Sequence, residues 1–347
     1  MEVIVERAPL VFPIAESSQV GEARRQTLGL AEAVGLDEGL RGKLALVVNE
    51  LGTNLVKHGA GGELLVRALP SPGVEVLAVD RGAGMADVDA CFRDGYSTAS
   101  SPGTGLGAVR RLSSFVDVYS ARPGGTAPEG TAPGGTAIVA RVCAAGPRGA
   151  RAAPLEIGVV SVPKSGEEVC GDGWAAAAGG DAPALMVVDG LGHGLVAADA
   201  ARLAERAFEA APSLSPGAQV AAIHDALRGS RGAAVAVARI ERGRGVMAYA
   251  GLGNISGVIV AGGTSRHLVS GNGTAGHDAA RINEFTYPWP DDALIVMSSD
   301  GLGSRWRLDR YPGLDTRDPS LVAGVLYRDW SRRRDDVTVV AARMRRP

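Results

Sequence analysis

Four polar residues recur at three- and four-residue intervals in LALVVNELGTNLVKHG: Glu50, Asn54, Lys57 and His58. On a helix they form one stripe, with Leu44, Leu46, Val47, Leu51 and Leu55 as the apolar face. A carboxylate and an amide at this spacing can hold a hydroxyl or water beside an octahedral magnesium and its phosphates. Alone, the stripe is better described as a solvated helix face. Further on, the apolar run Val74 to Val79 ends in DRGAGM, where Asp80 can accept a hydrogen bond from an exocyclic amine. Gly82 and Gly84 permit close approach of backbone to a ring. SPGTGLGAVRRL then supplies a glycine-rich loop (Gly103, Thr104, Gly105, Gly107) opening a helix, whose amides favour phosphate. Gly135 and Thr136 lead into a last strand. Each string is weak by itself, but their order describes a nucleotide pocket.

A second set of candidates is acidic: Asp172 in CGDGW, Asp189 in VVDGLGHG, Asp300 in MSSDGLGS, and Asp335 with Asp336 in RRRDDVTVV. A single Asp-Gly at a strand end is an ordinary turn. Four such motifs against strand-like runs imply carboxylates gathered at one edge of a sheet sandwich. Hard oxygen donors of this kind suit Mg or Mn rather than Zn.

The elements that must position these groups fall into two sets. Residues 1 to 142 alternate a strand-like VIVERAPLVF, helices from Val20 to Val34 and Leu36 to His58, strands at Leu64 to Leu69 and Val74 to Val79, a helix from Leu106 to Ser114, and strands at Phe115 to Ser120 and Thr136 to Val142. This is a sheet covered by helices. The repeat GGTAPEGTAPGGTA reads as an expanded, mobile hairpin loop. CAAGPRGARAAP, residues 143–154, follows neither period and reads as a linker. Residues 155–347 carry strand-like runs at Ile157 to Val162, Ala184 to Val188, Ala233 to Ile240, Gly245 to Ala250, Gly257 to Val260, Ala293 to Met297 and Val337 to Ala341. Two helices, Ala197 to Ala210 and Pro216 to Arg228, accompany them. The expected fold class is α/β throughout: an α+β two-layer sandwich followed by an α/β/β/α sandwich.

ELGTNLVKHG, DRGAGM, GTGLGAVRRL and GGTA together resemble the N, G1, G2 and G3 boxes of the gyrase, Hsp90, histidine kinase and MutL (GHKL, or Bergerat) ATPase fold. Within it they are most like the small serine/threonine switch kinases of bacterial partner-switching systems, the RsbT and RsbW group. That resemblance implies a serine kinase domain over residues 1–142 acting on a STAS-domain protein. Glu50 would be the general base, Asn54 the magnesium ligand, Asp80 the adenine reader, and Gly82, Gly84, Gly103, Thr104, Gly105 and Gly107 the ring and phosphate cradle. The cofactors implied are ATP and Mg. No phospho-accepting His with a dimerisation segment precedes the pocket, which argues against a sensor histidine kinase.

The order GD, DGxGHG, SSDG, DDxT resembles the SpoIIE and RsbX branch of metal-dependent serine/threonine phosphatases, and SVPKSGEEVCGD resembles the opening of the RsbX type. By that resemblance Asp189 bridges two Mn or Mg ions and is the central catalytic ligand. The Gly190 carbonyl, Asp172, Asp300 and Asp335 complete the metal site, and Asp336 supports it from behind. His193 is a candidate general acid or a local packing residue. Cys170, without an activating base, reads as a small buried residue, and His224, His267 and His277 receive no function.

The combined expectation is a bifunctional partner-switching regulator: a kinase and a phosphatase acting in opposite directions on a STAS-domain protein, within a sigma-factor or stress pathway. The alternative is an ATP-binding anti-sigma or sequestering module, with the phosphatase as the one enzyme. Composition excludes other classes. A formal charge of -2 gives no global attraction to nucleic acid or an anionic membrane. No run is long enough for a membrane span and the N-terminus lacks signal-peptide features. Three Cys without a C-x-x-C pair fit a reducing, cytoplasmic setting. A homodimer is compatible with this reading.

Overall fold

A computed structural model describes residues 3–5, 9–93, 105–122, 133–144, 153–180, 182–279 and 281–345. The chain forms two compact units that are not simple halves. Pro9–Ala150 groups with Thr316–Asp329, whereas Met1–Ala8 groups with Arg151–Asp315 and Trp330–Pro347. Residues 124–132 of the loop repeat and most of the linker (145–152) lie outside the described residues.

The N-terminal unit holds a five-stranded antiparallel sheet in the order Leu10–Ile14, Gly62–Ala68, Gly73–Asp80, Gly135–Cys143, Phe115–Ala121. Alternation along the strands puts Leu64, Val66, Val74, Val76, Ala78, Ile138 and Ala140 on one face. Against that face lie helix Ser17–Ala33 and helix Glu38–His58, through Val20, Ala23, Leu44, Val47, Val48, Leu51 and Leu55. Asp37 starts the second helix by accepting the Leu40 amide at 2.8 Å. At Gly52 a Cβ would come within 2.8 Å of Val20, so the two helices meet closely there.

The opposite face of this sheet carries Glu75, Leu77, Arg67 and Arg141, yet strand Gly73–Asp80 is buried from Gly73 to Val79. Its cover is helix Pro319–Trp330, in which every residue from Pro319 to Arg328 is buried and Gly324 lies against Leu77. The sequence shows no period there, because SLVAGVLY is apolar almost all round and so lacks the contrast that marks a surface helix.

In the C-terminal unit a six-stranded sheet runs Val3–Val5, Asp172–Ala177, Ala184–Gly190, Ala233–Glu241, Val246–Leu252, Glu284–Pro288. A five-stranded sheet runs Thr264–His267, Ser256–Ala261, Leu294–Ser298, Val337–Met344, Leu155–Val162. Trp174, Leu185, Val187 and Tyr249 of the first sheet share a core with Ile259, Ile295, Met297 and Val340 of the second. Helices Leu195–Ala210 and Pro216–Ala226 cover the other face of the six-stranded sheet, where Ala201, Ala204, Phe208, Val220 and Ile223 pack on Ala175, Met186, Val188 and Val235. The strand-like VIVERAPLVF is thus two strands. Val3–Val5 pairs with Asp172–Ala177, and Leu10–Ile14 pairs with Gly62–Ala68.

Candidate functional site

Glu50 and Asn54 both lie on helix Glu38–His58, and both are half-buried. Helix Gly105–Leu112 begins beside them: a Cβ on Gly105 would sit 2.8 Å from the Glu50 Oε2. The carboxylate therefore stands at the mouth of a helix N-terminus that follows a glycine-rich loop, where a phosphate would be favoured. Among the described residues the buried Asn54 amide nitrogen has no hydrogen-bond partner. A polar atom in that state calls for a ligand or water, and magnesium-bound phosphate with its water shell is chemically suited. Gly107 is buried in the same helix, Lys57 and His58 are exposed at the end of theirs, and Gly103 and Thr104 lie outside the described residues.

Asp80 ends its strand with Oδ1 accepting the amides of Gly82 at 2.7 Å and Thr136 at 3.1 Å. Burial raises its carboxyl above the usual range, while these amides and then Arg328 and His58 pull the other way. A carboxylate clamped by two backbone donors on one oxygen can offer the other to an amine. The two glycines after it are required first by the protein itself. A Cβ on Gly82 would meet the His58 carbonyl at 2.5 Å, and one on Gly84, where φ is +69°, would meet the Ala121 carbonyl at 2.3 Å. Ser120 completes the turn, taking the Met85 amide at 2.8 Å and contacting Thr136 at 3.0 Å.

The acidic residues of the C-terminal unit come from strand ends of both sheets and lie within electrostatic reach of Asp189. Asp172 and Asp189 face each other across neighbouring strands. Asp172, 7% exposed, accepts the Ser299 hydroxyl at 2.7 Å, and Ser299 in turn takes the Thr338 amide at 2.9 Å. Ser299 thereby ties the Asp172 strand to the Asp300 turn and to the strand after Asp336. The only signal for it in the sequence is its place before Asp300 in SSDG. Burial, and then the Asp189 charge, push Asp172 well above the ordinary carboxylate range. Asp189 rises to about 7 through burial, then Asp300, Asp335 and Asp336. Asp300, raised by burial and by Asp335, accepts the Asn254 amide at 2.8 Å.

Asp335 is exposed and accepts the Asp336 amide at 3.0 Å. Asp336 is 4% exposed, accepts the Lys164 amide at 2.8 Å and abuts Gly171, as a buried support would. Gly190 is buried, its amide bonded to the Gly171 carbonyl at 3.1 Å. Among the described residues no three His, Cys, Asp or Glu side chains close into a finished metal cage. What these strand ends present is mutually repelling hard oxygen donors, a charge imbalance that divalent cations would relieve.

The remaining candidates have local partners. His193 Nδ1 lies 2.7 Å from Glu167 Oε1. His224 Nδ1 takes the Gly276 amide, and His277 Nε2 pairs with the Arg231 carbonyl. Burial pushes the half-buried Cys170 thiol up, away from nucleophilic use. Among the described residues no helix is long and apolar enough to cross a membrane.

Residues 14–127 match the family described as histidine kinase-like ATPase domain, and residues 179–345 match stage II sporulation protein E (SpoIIE). The chain is 25% identical over 107 residues to the serine/threonine-protein kinase RsbT of Bacillus subtilis (strain 168), covering 30% of this chain and 80% of RsbT. A solved structure from work on the bacterial stressosome, described as a modular system adapted to control secondary messenger signaling, is similar with a TM-score of 0.51 and 28% identity, over 55% of this chain and 99% of that one. RsbX in complex with magnesium gives a TM-score of 0.49 and 18% identity, over 56% of this chain and 98% of its own. Two stretches of the chain thus have their counterparts in two separate families: residues 14–127 are similar to histidine kinase-like ATPase domains and residues 179–345 to SpoIIE.

Proposed function

We propose that the chain is a bifunctional partner-switching regulator, in which an ATP-dependent serine/threonine kinase (residues 1–142) and a metal-dependent phosphatase (residues 155–347) act on the same hydroxyl of a STAS-domain protein. The observation that carries this reading is the pair of Asp172 and Asp189 in register, with Asp300, Asp335 and Asp336 within electrostatic reach. In the kinase direction, Asp80 accepts the adenine amine and Glu50 takes the hydroxyl proton as the γ-phosphate transfers. Asn54 would hold magnesium, and the Gly105 helix end would face the phosphates.

In the phosphatase direction, two Mn or Mg ions, when bound, supply a hydroxide near neutral pH and neutralise the phosphoryl oxygens. Asp189 would bridge them, with Asp172, Asp300, Asp335 and the Gly190 carbonyl as further ligands. Asp336 holds the Lys164 segment behind the site. The three free cysteines fit a reducing, cytoplasmic setting.

Incubation of the full chain with γ-labelled ATP and a STAS-domain protein tests both directions. Label should appear on a Ser or Thr of the partner and leave on addition of Mn. Glu50→Ala should prevent its arrival, and Asp189→Ala should prevent its departure. Nucleotide-dependent complex formation without any transfer of label would instead favour the sequestering module.

A further inference from the structure

The residues that complete the ATP-binding unit include a segment from the far end of the chain. Thr316–Asp329 is part of the compact N-terminal unit, although in sequence it falls between Asp300 and Asp335 of the phosphatase. Its first turn is fastened by charges. Burial alone would raise the carboxyl of the fully buried Glu75, but Arg67 and Arg141, each at 2.7 Å, hold it at about 2. Ser320 adds a hydroxyl to Glu75 at 2.9 Å. Arg141 continues to Asp318 through two bonds of 2.8 and 2.7 Å, and Asp117 takes the Asp318 amide at 2.9 Å. A buried network satisfied on every side fixes one geometry.

The last turn of the helix reaches the nucleotide-reading loop. Arg328, 2% exposed, donates from Nη1 to the Asp80 carbonyl at 3.0 Å, while Nε and Nη2 form a fork to both Asp329 oxygens at 2.8 Å. Arg81, the residue after Asp80, donates back to the Arg328 carbonyl. Gly135 fits between: its φ is +136°, and a Cβ there would lie 2.1 Å from the Asp80 carbonyl and 2.8 Å from Arg328 Nη1. The following amide, Thr136, is one of the two that clamp the Asp80 carboxylate. The guanidinium thus underlies both the carbonyl of Asp80 and the turn that aims its side chain.

We propose that Arg328 is a positioning residue for nucleotide recognition, delivered to the ATP pocket by helix Pro319–Trp330, so that nucleotide occupancy and the order of this helix are thermodynamically linked. This rests on the reading of Asp80 as the adenine acceptor. By reciprocity, whatever orders the helix tightens nucleotide binding, and nucleotide protects the helix. Lysine in place of Arg328 keeps the charge but cannot both fork onto Asp329 and reach the Asp80 carbonyl.

The test uses the full chain, with calorimetric titration of a non-hydrolysable ATP analogue and the corresponding GTP analogue in magnesium, and hydrogen exchange on the peptide spanning 319–330. Arg328→Lys is expected to weaken the ATP analogue about tenfold, to reduce its preference over the GTP analogue, and to abolish nucleotide-dependent slowing of exchange in 319–330. A purely structural role would weaken both analogues alike and leave their ratio unchanged. Asp80→Asn separates the two levels. If it leaves ATP affinity intact, the adenine assignment fails. If it loses affinity while Arg328→Lys retains both affinity and preference, the positioning role fails. Should Arg328→Lys not fold, exchange in the wild-type chain decides: no slowing of 319–330 by bound nucleotide overturns the link.

Discussion

Asp80 and Asp189 are the same residue type near the end of a buried strand, yet the structure finishes them differently. Asp80 receives two backbone amides and an arginine against its carbonyl, so its carboxylate is held and aimed before any ligand arrives. Asp189 is buried beside other carboxylates, and burial first and their charges second raise it to about 7. The first site is completed by its own backbone and awaits a neutral donor. The second, on the proposed reading, is an electrostatic deficit that divalent cations would relieve. Pre-formed geometry in one place and stored repulsion in the other lead to opposite expectations for what mutation and pH do.

The largest effect is expected at the repulsive site. Asp189→Ala should reduce Mn-dependent phosphate release from a phosphoserine protein to the rate seen with chelator, while calorimetry finds nucleotide binding unchanged. Full activity in that variant, or activity indifferent to chelator, would return the acidic motifs to the status of turns. Next comes Glu50→Ala, which on the proposed reading removes a base acting only in the transition state. Phosphotransfer should fall by about 10² to 10⁴ with nucleotide retained, and loss of nucleotide as well would move Glu50 into the binding machinery.

The pH dependence follows from the sign of the Asp189 shift. Its folded-state pKa of about 7 stands above the 3.8 of an ordinary aspartate, so the metal-free folded chain binds the extra proton between those values. This contribution is fully present below about pH 4 and is lost as pH rises through 7. The melting temperature of chelated protein should therefore decline across that window, Asp189→Asn should flatten the decline, and Mn should offset it at pH 8. A flat wild-type profile would show that the repulsion is not felt in the fold. The smallest effect is expected for Asp336→Asn, which keeps an acceptor for the Lys164 amide. Its rate should change only a few-fold, and less than that of Asp335→Asn in the same metal titration.

Strands and glycines of the pocket were legible because they carry local patterns. The Val74 to Val79 run became Gly73–Asp80, and the Leu36 to His58 helix became Glu38–His58. The carboxylate motifs were legible as strand-end acids, and Asp172 lies in register with Asp189 on the neighbouring strand. Three features could not be read. Helix Pro319–Trp330 is buried nearly all round, so it shows no periodic contrast. The break in VIVERAPLVF depends on which distant strand each part pairs with. Ser299 and Arg328 act through partners far away in sequence, Asp172 and Asp80, and nothing local marks them.

The exchanged segments also set a timetable for birth on the ribosome. Domains ordinarily fold in the order they emerge, at roughly 5 to 20 residues per second. Here the sheet face bearing Glu75 and Leu77 waits for Ser320 and Gly324, so on the order of ten seconds or more of further translation separates the sheet from its cover. The first strand, Val3–Val5, waits likewise for Asp172–Ala177. A nascent chain released before Thr316 would leave a buried-type carboxylate and its apolar neighbours open to solvent, making completion of the polypeptide itself a checkpoint on a competent ATP-binding unit.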